Sequence, residues 1–373
     1  MPTNTAQPLP PRQCEVCQSR EGLLDCGGCR VVSYCSKAHQ VAHRAKHKLE
    51  CNTVRTKQAV LDAVTSEGHD LEEKFPADDN IMMTRREDLV WMVFRDRYMQ
   101  TRLALANALV AVGTTTALAG ALDHLLDMLR LYRCGFTDAR TTVPSLLLRL
   151  GRDQECYDFL KWWLLADPGG VTRDWVDPNV PYLDLKNADA LEPCDQLIEE
   201  YPFLSDVAAL TLVKVKLLLD LESLQKVSQA LEPDGGVKPT AKTPTKTKTT
   251  AKTTTKTMTK AKTLPPEVVD MIKREALGSN LLLHRLDILS ATDHTLRIAR
   301  VKRQIRQLFR QADMNKLFWP AFLNPGVYLT MPLQFSPLGP AGEVHAALQM
   351  AYPSWAEMPG AIDVIRGLLA HRN

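Results

Sequence analysis

Along most of the chain, apolar residues return every three or four positions rather than every second one. From about Arg85 to Leu231 this rhythm is nearly unbroken and β-branched alternation is scarce, so the block is expected to be nearly all helix. A shorter helical run follows Cys51 to about Ser66, and a polar stretch continues to Thr84. Inside the long block, LALANALVAVGTTTALAGAL, Leu103 to Leu122, runs twenty residues without a charge, the length a membrane-spanning helix needs. Its alanines, Asn107 and the three threonines after Gly113 lack the bulky apolar density that drives insertion, so two buried helices with a break are expected. Further on, LPPEVVDMIKREAL starts a helix behind its prolines, and Thr292 to Phe309 reads as a second, amphipathic helix. Beyond Phe318 prolines alternate with aromatics, and a short helix near Ala361 to Ala370 closes the pattern.

One segment has no rhythm at all. Val237 to Thr263 is lysine and threonine with almost nothing to bury, so it cannot offset its chain entropy and is expected to be disordered. The pattern therefore divides the 373 residues into a disordered N-terminal tail (1–13), a cysteine-rich segment (14–51), a helix and linker (52–84), an α-helical, repeat-like domain (85–233), a disordered Lys/Thr-rich linker (234–264) and a C-terminal helical region (265–373). That last region, rich in proline at its end, makes a thin independent core and is expected to pack back on the central helices. The fold class is mostly α.

Charge and cysteine change this picture in two ways. The formal net charge of +3 is smaller than the eight lysines of the tract, so the rest of the chain is net acidic and no broadly basic surface is implied. The start, MPTNTAQPLPPRQ, lacks the apolar core of a secretory signal, which makes an intracellular protein, in nucleus or cytoplasm, the expectation. In a reducing compartment the cysteines are then thiols or metal ligands rather than disulfides. Cys134, Cys156 and Cys194 stand singly in helical pattern and read as small core residues.

The other six cysteines fall between Cys14 and Cys51, together with His39, His43 and His47. Two Cys-x-x-Cys knuckles followed by Cys/His pairs are a strong zinc signal, and eight thiolate or imidazole ligands fill two closed tetrahedral sites. A closed site keeps no position for water or substrate, which favours structural over catalytic zinc. Residues four apart on a helix share a face, so Cys35 with His39, and His47 with Cys51, can each grip one ion, whereas His39 and His47 would stand about 12 Å apart along a continuous helix. Each pair then needs its own knuckle. The interleaved arrangement is Cys14, Cys17, Cys35 and His39 at one zinc and Cys26, Cys29, His47 and Cys51 at the other; a break between the pairs would permit a sequential one. His43 has no coordination site left and reads as a surface or supporting residue.

This run resembles the MYND-type zinc finger, through Cys14, Cys17, Cys26, Cys29, Tyr34-Cys35-Ser36, Gln40, His47-Lys48 and Cys51. The resemblance covers about a tenth of the chain. It implies the interleaved pairing of two structural Zn2+ ions and a role in binding a protein or peptide rather than in catalysis. Two positions depart from the family. His39 stands where the sixth cysteine is usual, giving a neutral imidazole for a thiolate and a weaker zinc site. Arg44 stands where a tryptophan helps to form a groove for proline-containing peptides, so Gln40 remains but its aromatic platform does not, and a more acidic partner is implied.

In the helical block, LGRDQECYDFLKWWLLADP resembles the second helix of a tetratricopeptide-type hairpin, with Gly151 at the turn, Cys156 at the small position, Leu160 at the bulky one and Pro168 at the end. Trp163 departs from that pattern, and of the adjacent Trp162 and Trp163 one is expected in the core and one half-buried. MYND fingers also occur in SET-type lysine methyltransferases, but the Asn-His-x-Cys cofactor segment of those enzymes is not found, nor is a phosphate loop, a nucleophile elbow or a His-Glu-x-x-His pair. A further alternative is nucleic-acid association through the tract and the basic run Arg297, Arg300, Lys302, Arg303, Arg306 and Arg310, although no base-reading motif accompanies them. The reading favoured is a zinc-binding, non-enzymatic interaction adaptor, a regulatory or transcription-related scaffold without a membrane span.

Overall fold

The computed structural model describes residues 9–74, 89–133, 137–166, 180–198, 203–231 and 264–371. The chain before residue 9, the polar stretch after Lys74, Cys134, Pro168 and the Lys/Thr tract lie outside the described residues. Two short strands, β1 (Leu24–Asp25) and β2 (Ser33–Tyr34), pair antiparallel with Leu24 opposite Tyr34. The other regular elements are helical. Before the tract come α1 (Lys37–Lys74), α2 (Leu89–Val112), α3 (Thr115–Leu131), α4 (Thr137–Arg149), α5 (Asp153–Ala166), α6 (Asp195–Ile198) and α7 (Leu204–Ala230). After it come α8 (Pro266–Glu275), α9 (Leu286–Leu289), α10 (Thr295–Ala312), α11 (Phe318–Leu323), α12 (Gly326–Thr330), α13 (Pro340–Ala356) and α14 (Ala361–Ala370).

Helix α1 is the longest, at 38 residues, and it does not stop near Ser66 as its apolar pattern suggested. Val54, Leu61 and Val64 bury one face of it as it packs along α2. The last turns have few apolar side chains of their own but are held from across the gap: the Phe94 ring lies against Gly68, and Arg97 pairs with Glu67. Tertiary packing thus extends the helix beyond the local signal. The uncharged segment within 103–122 divides as expected, into the end of α2 and the start of α3. Gly113, at φ +74°, makes the reversal, and Thr114 caps α3 by accepting the Ala117 N–H at 3.2 Å. No described helix is long and apolar enough to cross a membrane.

Packing separates two compact units, Met1–Val215 with Gln304–Asn373, and Lys216–Arg303. These boundaries fall inside α7 and α10 rather than at the compositional borders of the Lys/Thr tract. In the first unit, α13 lies along α4, and Arg149 grips Glu357 through Nε and Nη2 at 2.9 and 2.7 Å. Phe318, Trp319, Phe322 and Trp355 form a fully buried aromatic cluster beside it. The second unit closes on the end of α7: Asp220 accepts the Gly278 N–H at 2.7 Å, Gln225 accepts that of His294 at 2.7 Å, and Lys302 meets Glu222 at 2.7 Å.

Two expectations need correction. Trp162 and Trp163 are both buried, ring against ring at 5.1 Å, because Tyr182 covers them from the following segment. That segment, residues 180–194, is irregular rather than helical. Pro181 and Pro193 interrupt it, and Asp158 draws the backbone out of a helix by accepting the N–H groups of Asn187 and Ala188 at 2.8 and 2.9 Å. Helices α4 and α5 are joined at Gly151 and pack on each other, with Cys156 buried beneath Pro144.

Lys214 anchors the same segment. Fully buried on α7, its Nζ donates to the carbonyls of Ala190 and Glu192 at 2.6 and 3.1 Å and lies 5.3 Å from the centre of the Tyr157 ring. Burial lowers its pKa from 10.5 to about 8. Above pH 8 the folded chain has shed this proton while the unfolded chain still holds it, so stability rises with pH until the unfolded value is passed. Relative to Lys214→Met, the wild type is expected to gain about 1–2 kcal/mol between pH 7.5 and 9.5 in urea unfolding. Parallel pH profiles for the two proteins would show that the lysine is not titrating in the fold.

Candidate metal centres

The N-terminal segment is built from two knuckles and the first turns of α1. In each knuckle the chain folds back so that its amides point at the first sulfur. Burial alone would raise the Cys14 thiol, but the backbone amides of Cys17, Cys35 and Val16 outweigh it and hold the group at about 6. Cys26 is lowered in the same way, with burial opposed by the amides of Cys29 and Gly28. Such donors favour the thiolate, the form that binds metal. Burial pushes Cys29 the other way, up to about 12, and also raises Cys51, where a cation placed between the sulfurs would reverse the balance.

The eight cysteine and histidine side chains converge as two groups of four. Cys14, Cys17, Cys35 and His39 form one, and Cys26, Cys29, His47 and Cys51 the other, with the donor atoms of each group within 4.8 Å of one another. In the first, Cys17 Sγ stands 3.4 Å from Cys35 Sγ, and His39 Nδ1 lies 3.1 Å from Cys35 Sγ and 3.5 Å from Cys14 Sγ. In the second, the Cys26 and Cys51 sulfurs are 3.7 Å apart and His47 Nε2 is 3.3 Å from Cys29 Sγ. Four ligands about 2.3 Å from a tetrahedral zinc stand roughly 3.7 Å from each other, so the donor sets fit that ion. The histidines use different nitrogens: His39, in the first turn of α1, turns Nδ1 to Cys35, while His47, in the third turn, turns Nε2 to Cys29.

The groups differ in their surroundings. All four residues of the second are buried, whereas in the first Cys17 is exposed and Cys35 and His39 are half-buried. Burial, followed by the nearby His43 and Arg44, lowers the His47 pKa and keeps its imidazole neutral, as a ligand must be. His43 belongs to neither group. Its Nδ1 meets the Tyr34 hydroxyl at 3.0 Å and its ring stacks on His47, centroids 5.9 Å apart and 4° from parallel, so it fixes the plane of the histidine behind it. Gln40 is half-buried and Arg44 exposed, side by side on α1 one turn apart.

The family model for the MYND finger matches residues 14–51. Residues 14–51 are a MYND finger. Over 38 residues the chain is 53% identical to Egl nine homolog 1 of Mus musculus, a match that covers 10% of this chain and 10% of that protein. The likeness therefore extends over a tenth of each chain. No solved structure matches the chain.

Several residues that shape the finger are absent from the spacing argument. Arg12 bridges its strands, with Nη2 on Asp25 at 2.8 Å and Nε donating to Ser33 Oγ at 3.1 Å. The Arg12 side chain, helped by Ser33, holds the Asp25 carboxyl below its usual range. The finger also touches the helical body: Thr114 Oγ1 donates to the Val31 carbonyl at 2.6 Å and Thr115 Oγ1 to that of Pro10 at 2.5 Å. No pattern in the sequence announces these two threonines as finger contacts. Gly28 was legible in principle, since it stands inside the second knuckle; a Cβ there would lie 2.7 Å from Cys51 Sγ. Gly28→Val is accordingly expected to empty the buried group and spare the exposed one, lowering the bound metal of purified protein by one equivalent in atomic emission. Unchanged metal content would show that the knuckle yields to the side chain.

Proposed function

We propose that the chain is a non-enzymatic adaptor, a regulatory or transcription-related scaffold of the nucleus or cytoplasm, whose MYND finger is held by two structural Zn2+ ions and presents a surface to a protein or peptide partner. The observation that carries this reading is the closure of both groups. Each has four protein donors at tetrahedral separations, so zinc bound there has no vacant position for water or substrate. A structural ion in so small a unit supplies much of its folding free energy. The catalytic motifs sought in the sequence, those of SET-type methyltransferases included, are not found, which further supports a binding role.

Partner recognition falls to the exposed face around Gln40 and Arg44. With a guanidinium where relatives use an indole, the face favours a carboxylate-bearing ligand over a proline-rich one.

Zinc analysis of purified full-length protein is expected to give two ions per chain, and His39→Ala to give one. A wild-type value of one, unchanged by His39→Ala, would remove His39 from the ligand set. A chromogenic chelator should withdraw the metal in two phases, the first from the group containing exposed Cys17; a single phase would contradict the difference in burial. Affinity capture with wild type and with Cys26→Ser tests the role itself, since partners that depend on the finger are lost from the variant.

A further inference from the structure

The outer face of α1 has a charge pattern that neither metal site requires. Lys37, Arg44, Lys48 and Arg55 are spaced by seven, four and seven residues and all four are exposed. At about 100° per residue they lie within roughly 40° of arc and extend about 27 Å along the helix, well beyond the finger's last cysteine. Beside this stripe run Val41, Ala45 and Leu49, with Val41 63% and Leu49 78% exposed. From Lys37 to Lys57 there are six basic residues and one acidic, Glu50.

The stripe has no ion-pair partners of its own among the described residues, whereas several arginines elsewhere meet carboxylates: Arg97 with Glu67, Arg102 with Asp127, Arg140 with Asp206, Arg149 with Glu357, Arg152 with Glu155 and Arg285 with Asp287. Among the described residues no carboxylate pairs with Lys37, Arg44, Lys48 or Arg55. Aligned positive charges repel one another, and a neighbouring apolar track exposed to water adds its own cost. Both are relieved by one ligand that carries carboxylates in register with the stripe and apolar side chains over Val41 and Leu49.

We propose that this face of α1 docks an acidic, amphipathic helix of a partner protein, laid along the finger helix from Lys37 to Arg55. The inference rests on reading the finger as a protein-binding module and names the chemistry and extent of its partner. A nucleic-acid backbone would satisfy the charges but make no use of Val41 and Leu49, and no exposed aromatic between Lys37 and Lys57 offers a base a surface to stack on. Rim charges of this kind govern encounter and register, while the apolar contacts hold the complex.

The test uses zinc-loaded full-length protein and a fluorescein-labelled 21-residue helical peptide, with glutamates spaced by seven, four and seven residues and leucines on the adjoining track. A peptide of the same composition in permuted order and a 20-base-pair DNA duplex serve as the other ligands. Anisotropy titrations are expected to show the patterned peptide binding at least tenfold more tightly than the permuted one. Reversal of the stripe, Lys48→Glu with Arg55→Glu, is expected to weaken it at least tenfold, whereas Lys46→Glu with Lys57→Glu, the same change of charge on the opposite flank, shifts it less than threefold. Equal losses in the two double variants would reduce the effect to net charge and overturn the proposal, as would equal affinity for both peptides or tighter binding of the duplex. Zinc content separates this from failure of the finger itself: the stripe variants keep the wild-type metal, while a finger wrongly read would be deficient in zinc before any stripe residue is changed.

Discussion

The structure turns on one helix that belongs to two cores. His47 and Cys51 face inward to the buried group of donors, and the same side of α1, continued through Val54, Leu61 and Val64, faces α2. Spacings of four, three, seven and three residues keep these side chains on one drifting stripe. Because a helix transmits rotation along its axis, the convergence of donors at one end and side-chain packing at the other must agree on a single orientation. The finger is therefore not an appendage on a loose tether. Its second metal group is the first stretch of a seam that continues as hydrophobic contact.

A second attachment completes the arrangement. The chain leaves the finger through α1, returns along α2, and at the Gly113 reversal brings Thr114 and Thr115 back against Val31 and Pro10. Each such hydrogen bond contributes only about 1 kcal/mol, so they orient the finger against the body, beside the longer apolar seam along α1. Orientation is what the proposed adaptor role needs. A surface on α1 that is held by the body can offer charges in fixed register, as a freely tumbling finger cannot.

The sequence disclosed those parts of this whose physics is local. Ligand spacing on a helix separated His39 from His47, and the two groups in the structure are the interleaved ones. Helical periodicity and breakers located the helices on either side of Gly113 and the helix that starts at Pro266. What stayed hidden depends on distant residues. The turns of α1 beyond Ser66 are held by Phe94 and Arg97; the irregular path of 180–194 is set by Asp158 and Lys214, and the burial of both Trp162 and Trp163 by Tyr182. In each case a local propensity was overruled by a contact whose partner lies about 20 or more residues away. The finger showed the same division: its donors, and in principle Gly28, were readable, whereas Arg12 and Thr114 were not.

The shared helix is tested most directly by amide hydrogen exchange along α1 with and without metal. If one face serves both cores, chelation should speed exchange from His43 through Cys51 and carry the effect past the last cysteine into the turns at Val54 and Arg55, fading before Gly68, where α2 holds the helix alone. A sharp boundary at Cys51, with residues 52–58 as protected as before, would mean that finger and body are separate structures joined only by sequence.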